Sequence, residues 1–168
     1  MQELFAVSTQ PQDVEEDSVK EILKNKKEID ELITQAAPEW DIDKINKVDL
    51  SVLRLATYEL VFEHTQPAKV IIDEAIELAK EFGGESSPTF VNGALAKILV
   101  NPARTLRLIA DKLGVEKPAR ECVFSTDLNA SELEVNDFIT SLFHDLNLTY
   151  DKKFNTVGEL LDYIEDNA

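Results

Sequence analysis

Residues 70–99 read VIIDEAIELAKEFGGESSPTFVNGALAKIL, two helical patterns separated by Gly83-Gly84. In the first, Val70, Ile71, Ala75, Leu78, Ala79 and Phe82 recur at the spacing of one helix face, and the glycine pair ends it, as glycines beyond a helix terminus do. The second opens on Ser87-Pro88, a serine cap followed by proline at the first helical position, where its missing N–H costs nothing. Val91, Ala94, Leu95, Ile98 and Leu99 then share a core face. A helical hairpin is therefore expected here, and the rest of the chain extends the same architecture.

Upstream, segment 15–35 places Val19, Ile22, Ile29 and Ile33 at helical spacing with charges between them, which predicts one amphipathic helix. Pro38 in AAPEW (36–40) biases its predecessor away from the helical region and breaks it. VDLSVLRLATYEL (48–60) is denser in apolar residues and predicts a central, mostly buried helix, with Asp49 placed to cap its start. Downstream, Asn101-Pro102 closes the first half, and TLRLIADKL (105–113) is a short amphipathic helix stopped by Gly114. Ser131 with Glu134 has the spacing of a capping box and opens a helix to about Leu146. Thr156 with Glu159 opens a last helix carrying Leu160, Leu161 and Ile164. No alternating strand pattern of useful length occurs, so the chain reads as all-α in two modules, 1–101 and 102–168.

Length and composition narrow the function classes. The chain has 168 residues, 43% hydrophobic and 30% charged, with five glycines and six prolines, few enough to favour helices. No apolar run approaches the about 20 residues of a membrane span. A signal peptide's basic-then-apolar start is absent, so a cytoplasmic protein with no membrane partner is expected. Cys122 is the single cysteine and offers no internal disulfide. The net charge is −16, and neither half is basic. Nucleic acid is repelled at long range by such a chain, so RNA must be gripped at a local site or with a partner's help.

Three blocks, EIDELITQAAPEW (28–40), VDLSVLRLATYEL (48–60) and the run at 70–99 with its Phe90-Val91-Asn92-Gly93, resemble in order and spacing the NusB family of bacterial transcription antitermination factors. Met1-Gln2-Glu3-Leu4-Phe5-Ala6 resembles the later part of that family's first helix, so the likeness covers about residues 1–100. The resemblance implies an α-helical bundle that binds without catalysis. It further implies that the chain binds the boxA element of nascent transcripts, a single-stranded RNA, jointly with a small-subunit ribosomal protein. In that role it serves the transcription elongation complex across ribosomal RNA operons. Carried over, the RNA-facing residues are Ser86, Ser87, Thr89, Phe90 and Asn92. A helix N-terminus suits phosphate, and a phenylalanine can stack on an unpaired base. The same residues also have structural readings: Phe90 in register with the core, Ser87 as a cap, Asn92 bonded to nearby backbone. Three departures remove positive charge: the basic N-terminal arm is expected to be missing, Pro88 and Thr89 stand where the family often has His and Lys, and Asp73 stands for asparagine. The alternative reading is a protein-interaction adaptor that has lost RNA binding.

Residues 103–168 resemble an acyl carrier protein, a small four-helix domain: TLRLIADKLGV its first helix, VFSTDLNASELEVNDFITSLFHDLNL its loop and second helix, TVGELLDYIED its last. The family's phosphopantetheine-bearing serine aligns with Glu132 in Ser131-Glu132-Leu133, and a carboxylate cannot form that phosphodiester. The module therefore reads as a degenerate carrier. Glu132, Glu134, Asp137 and Asp145 offer an acidic face for a basic partner or remain a solvated face. Elsewhere His64, His144 and Cys122 fall outside any ligand spacing, and Gly83-Gly84 lacks the lysine of a phosphate loop. No catalytic residues, cofactor or metal site are expected.

Overall fold

A computed structural model describes residues 17–168, and the block Met1–Ala6 lies outside the described residues. The chain divides into two compact units, Met1–Ile98 and Leu99–Ala168. The described residues hold eight α-helices and no strand beyond one isolated bridge, Val123 with Thr156. None of these helices is long and apolar enough to cross a membrane.

The first unit begins with α1 (Asp17–Lys24) and α2 (Lys26–Ala36), where one helix is expected from periodicity. Asn25 stands at the break: its side-chain amide donates to the Glu21 carbonyl at 2.8 Å, which also accepts the Asn25 backbone N–H at 3.1 Å. Beyond it, Ile29, Leu32 and Ile33 are buried, and Thr34 on the outer side bonds back to Asp30. After a short 3-10 turn, Ile42–Lys44, comes α3 (Lys47–Tyr58). Its N-cap is Asn46, whose side-chain oxygen accepts from Val48 N at 2.8 Å, and not Asp49. Asp49 falls in the first turn and is buried. Val52, Leu53 and Ala56 are buried too, and α3 packs against α1, α2 and α4, which makes it the central helix expected from its apolar density.

Arg54 is one of four buried polar residues on that helix, with Asp49, Ser51 and Thr57. Its guanidinium is buried and gives Asp30 two hydrogen bonds, Nε to Oδ1 at 2.8 Å and Nη2 to Oδ2 at 3.0 Å, tying α3 to α2. Such fork-to-fork pairing fixes geometry as well as charge. The helix continues as one π-turn, Glu59–Glu63, and stops at His64 in the left-handed region (φ 52°). Helix α4 (Ala68–Phe82) starts directly after Pro67 and buries Ala68, Ile71, Ala75 and Ala79. Val70 and Phe82, expected on the core face, are 41% and 42% exposed. They sit on the margins of an apolar arc wider than the neighbouring helices cover. Helix α5 (Ser87–Leu99) buries Val91, Ala94, Leu95 and Ile98.

In the second unit, α6 (Pro102–Leu113) is capped by Asn101, whose side chain accepts from Ala103 N at 2.9 Å; Asn101 thus opens the next helix as well as closing the previous segment. Gly114 ends it at φ 66°, the left-handed conformation glycine adopts freely. The loop to α7 (Glu132–Leu146) contributes Phe124 and Leu128 to the core. Both expected capping boxes are present, Ser131 with Glu134 opening α7 and Thr156 with Glu159 opening α8 (Val157–Asn167). The core joins Ile109, Phe138, Ile139, Leu142, Phe143, Val157, Leu160 and Ile164. Arg104 is almost fully buried beside them, donating to the Leu99 carbonyl at 3.2 Å and lying 3.8 Å from Asp145. Burial lowers its pKa to about 10, with Asp145 opposing that shift. Asp145 therefore answers an internal cation, unlike the exposed Glu132 and Asp137.

Candidate functional site

The turn from α4 to α5 is built around a close approach. A Cβ on Gly83 would lie 2.6 Å from the Ala79 carbonyl oxygen and 2.6 Å from both the Cβ and Oγ of Ser87, so only glycine fits. Gly84 has no such constraint: its Cβ would meet nothing nearer than Ser87 Oγ at 3.8 Å. Ser87 is buried, and its hydroxyl accepts the Gly84 N–H at 2.8 Å. It thus secures the preceding loop, where a cap for its own helix was expected. The first helical bond of α5 runs from Phe90 N to the Ser86 carbonyl at 3.0 Å. Pro88, in the first turn, sits where a missing N–H is harmless.

Around this start the sequence-derived residues separate by exposure. Ser86, Thr89 and Asn92 are exposed, Phe90 is half-buried, and Ser87 is inside. Helical geometry puts Ser86, Thr89, Phe90 and Gly93 on one face, with Asn92 one turn beyond Thr89. A Cβ on Gly93 would meet nothing within 4 Å, so that face is open. Phe90 is not simply a core residue. It meets Trp40 edge to face, centroids 5.9 Å apart and planes at 68°. Trp40 is itself 50% exposed and is held in the turn after α2 by its backbone N–H on the Ala37 carbonyl at 3.0 Å.

Trp40 is the residue that reading by motif passed over. The signal for it was a tryptophan in a polar linker, outside any apolar period, in a chain with no other. Its pairing with Phe90, fifty positions away, is tertiary and invisible to local pattern.

Elsewhere in the first unit, burial raises the Glu59 carboxyl above the ordinary glutamate range, helped by Glu63 and Glu74. In the second unit, exposed Glu132 pairs with Lys153, whose hydrogen bond and charge hold its carboxyl below the usual range. Glu134 is likewise lowered by the Ser131 side-chain and backbone bonds of the capping box. A small hollow of about 240 Å³ lies beside Glu132 and Lys153, with Phe124, Val135 and Phe154 in its wall. Among the described residues, no three His, Cys, Asp or Glu side chains are grouped to hold a metal ion.

The first unit is all-helical among its described residues, and its last helix opens on an aromatic, hydroxyl- and amide-bearing start. Residues 2–100 match the model of the NusB family. The chain belongs to the NusB family. It is 54% identical over 91 residues to the transcription antitermination protein NusB of Clostridium botulinum (strain Kyoto / Type A2), a match covering 52% of this chain and 64% of that protein. The protein of the same name from Geobacter sulfurreducens is 49% identical over 83 residues, covering 49% of this chain and 60% of the relative. The chain thus spans somewhat under two thirds of the length of these relatives. Among solved structures, T. maritima NusB superposes with a TM-score of 0.53 at 36% identity, covering 58% of this chain and 82% of that one.

Proposed function

We propose that the chain is a transcription antitermination factor that binds boxA-type RNA together with a small-subunit ribosomal protein, and so supports elongation through ribosomal RNA operons. The observation that carries the reading is its close likeness to proteins named for antitermination, about half of the aligned positions being identical, joined to an α5 start that leaves RNA-facing groups in solvent. Ser86, Thr89, Phe90 and Asn92 are the contact residues in this reading, and Ser87 acts through the loop it ties down. Phe90 supplies stacking, the hydroxyls and amide reach phosphate and base edges, and no covalent chemistry is involved. Because the net charge is −16, the ribosomal partner supplies much of the positive charge that RNA requires.

Fluorescence anisotropy of a labelled boxA-type RNA, with and without that partner and across a salt series, tests this. Salt-sensitive binding that tightens with the partner and weakens in Phe90→Ala supports it. No binding in either condition, with the protein folded, removes the RNA reading and favours the adaptor.

For residues 102–168 the proposal is an acyl-carrier-like fold used for docking and not for acyl carriage. It is supported by α7 beginning at Glu132, where a carrier would present its serine, and by the exposed Glu132, Glu134 and Asp137 on that helix. Incubated with a phosphopantetheinyl transferase, the wild-type chain should keep its mass while Glu132→Ser gains one phosphopantetheine. A Glu132→Ser variant that stays unmodified counts against the carrier likeness.

A further inference from the structure

We propose that Trp40 is a second base-stacking platform beside Phe90, and that RNA leaving it follows a cleft lined by Lys24, Lys26 and Lys27. This inference rests on the RNA reading above and assigns a footprint beyond the start of α5.

The aromatic half comes from how Trp40 is placed. A tryptophan carries the largest apolar side chain and is normally well covered, yet this one is 50% exposed. Its contact with Phe90 is edge to face, an arrangement that covers at most one face of one ring. The pair is rigidly presented, Phe90 by a helix and Trp40 by a hydrogen-bonded turn, and it leaves π surface open to solvent. Open aromatic faces held apart in this way suit successive unpaired bases, which stack with little regard to sequence.

The cationic half begins two residues further along the chain. Ile42 follows Trp40 by at most about 7 Å of extended backbone. It forms one wall of a cleft of about 700 Å³ whose other walls are the end of α1 and one side of α2. Lys24, Lys26 and Lys27 line that cleft, 72%, 48% and 93% exposed. Asp30 and Glu31 line it as well, so three cations stand against two carboxylates in its wall, in a chain whose net charge is −16. Each lysine does face a carboxylate of its own helix: Glu21 at 3.4 Å, Asp30 at 3.1 Å and Glu31 at 3.9 Å. Pairs this exposed contribute little and exchange readily for a phosphate. Asp30, moreover, is already held by both ends of the Arg54 fork, so Lys26 can turn to an anion without leaving a carboxylate unanswered. Stacking at one end and phosphate contacts at the other describe a single-stranded path, and the three exposed lysine ammonium groups favour RNA over a basic protein segment as its occupant.

The test uses the intrinsic emission of Trp40, the chain's single tryptophan, read alongside the anisotropy of a labelled boxA-type RNA. The expected result is a saturable quench of Trp40 emission that follows the binding curve. Trp40→Ala should weaken binding about ten-fold, and Trp40→Phe should recover most of the loss. The triple variant Lys24→Gln, Lys26→Gln, Lys27→Gln should lower the slope of log affinity against log salt by about two. RNA that binds by anisotropy while Trp40 emission stays unchanged, with Trp40→Ala within about two-fold of wild type, overturns this inference and leaves the RNA reading standing. An absence of binding at low salt, by both signals, overturns the RNA reading and this inference with it.

Discussion

Replacing Gly83 by alanine tests how the α4–α5 turn positions the site. Gly83 has φ −93° and ψ −169°, extended backbone open to any residue, so the substitution incurs no conformational strain. The whole effect is steric. The new methyl would sit 2.6 Å from the Ala79 carbonyl oxygen, which is fixed in α4, and 2.6 Å from the Cβ and Oγ of buried Ser87. Neither neighbour is the far end of a flexible side chain, so the start of α5 must move. Overpacking of this kind costs about 2 kcal/mol, and displacing Ser87 from the Gly84 N–H adds about 1 kcal/mol. For a unit of this size that is a fall in Tm of about 10 °C or more. Gly84→Ala is the control, since its methyl meets nothing nearer than 3.8 Å, and it should be neutral or stabilising by about 0.5 kcal/mol. Trp40 lies in the same unit, so its emission during urea or thermal unfolding reads this unit. Equal stability of the two alanine variants would refute the steric reasoning.

Three further outcomes follow from the first unit, each read by the same Trp40 unfolding curve. Asp30→Ala strands the buried Arg54 guanidinium and should destabilise by about 3 kcal/mol, toward the lower limit for broken buried pairs because Asp30 is a fifth exposed; a change below about 1 kcal/mol would show the pair to be dispensable. Asn46→Ala removes the α3 cap and should cost about 1 kcal/mol, and a neutral result would return the capping role to Asp49. Glu59 has its pKa raised above 4.5, so the folded state holds that proton more tightly than the unfolded state does. The associated stability is present at low pH and lost as pH rises through the folded value. Glu59→Gln should therefore stabilise the unit at pH 7, with the gain disappearing on acidification below the ordinary glutamate range; a gain independent of pH would show another cause.

Much of this fold was legible because its determinants are local. The capping boxes at Ser131–Glu134 and Thr156–Glu159 have both partners within one turn, so spacing alone identifies them. The central helix at 47–58 announces itself by apolar density. What was not legible depended on competition or on distant contacts. The break at Asn25, where the side-chain amide and the backbone N–H share the Glu21 carbonyl, falls inside a continuous apolar period and leaves no mark on it. Asn46 and Asp49 are both good caps by type, and the backbone chose the earlier one. Val70 and Phe82 belong to an apolar arc, but how much of an arc is covered depends on neighbours. At the site, Thr89, Phe90 and Asn92 could be placed on a helix start from Ser87-Pro88 alone. The burial of Ser87 depends on the Gly83 approach, and the Trp40–Phe90 pair on tertiary folding.

The central claim is antitermination itself, and its most direct measurement is transcription through a terminator placed downstream of a boxA element, in an otherwise complete elongation system. Adding this chain with the small-subunit ribosomal partner should raise read-through on the boxA template and leave a scrambled-boxA template unchanged, with the gain reduced in Phe90→Ala. Identical read-through on both templates, with and without the chain, would contradict the account.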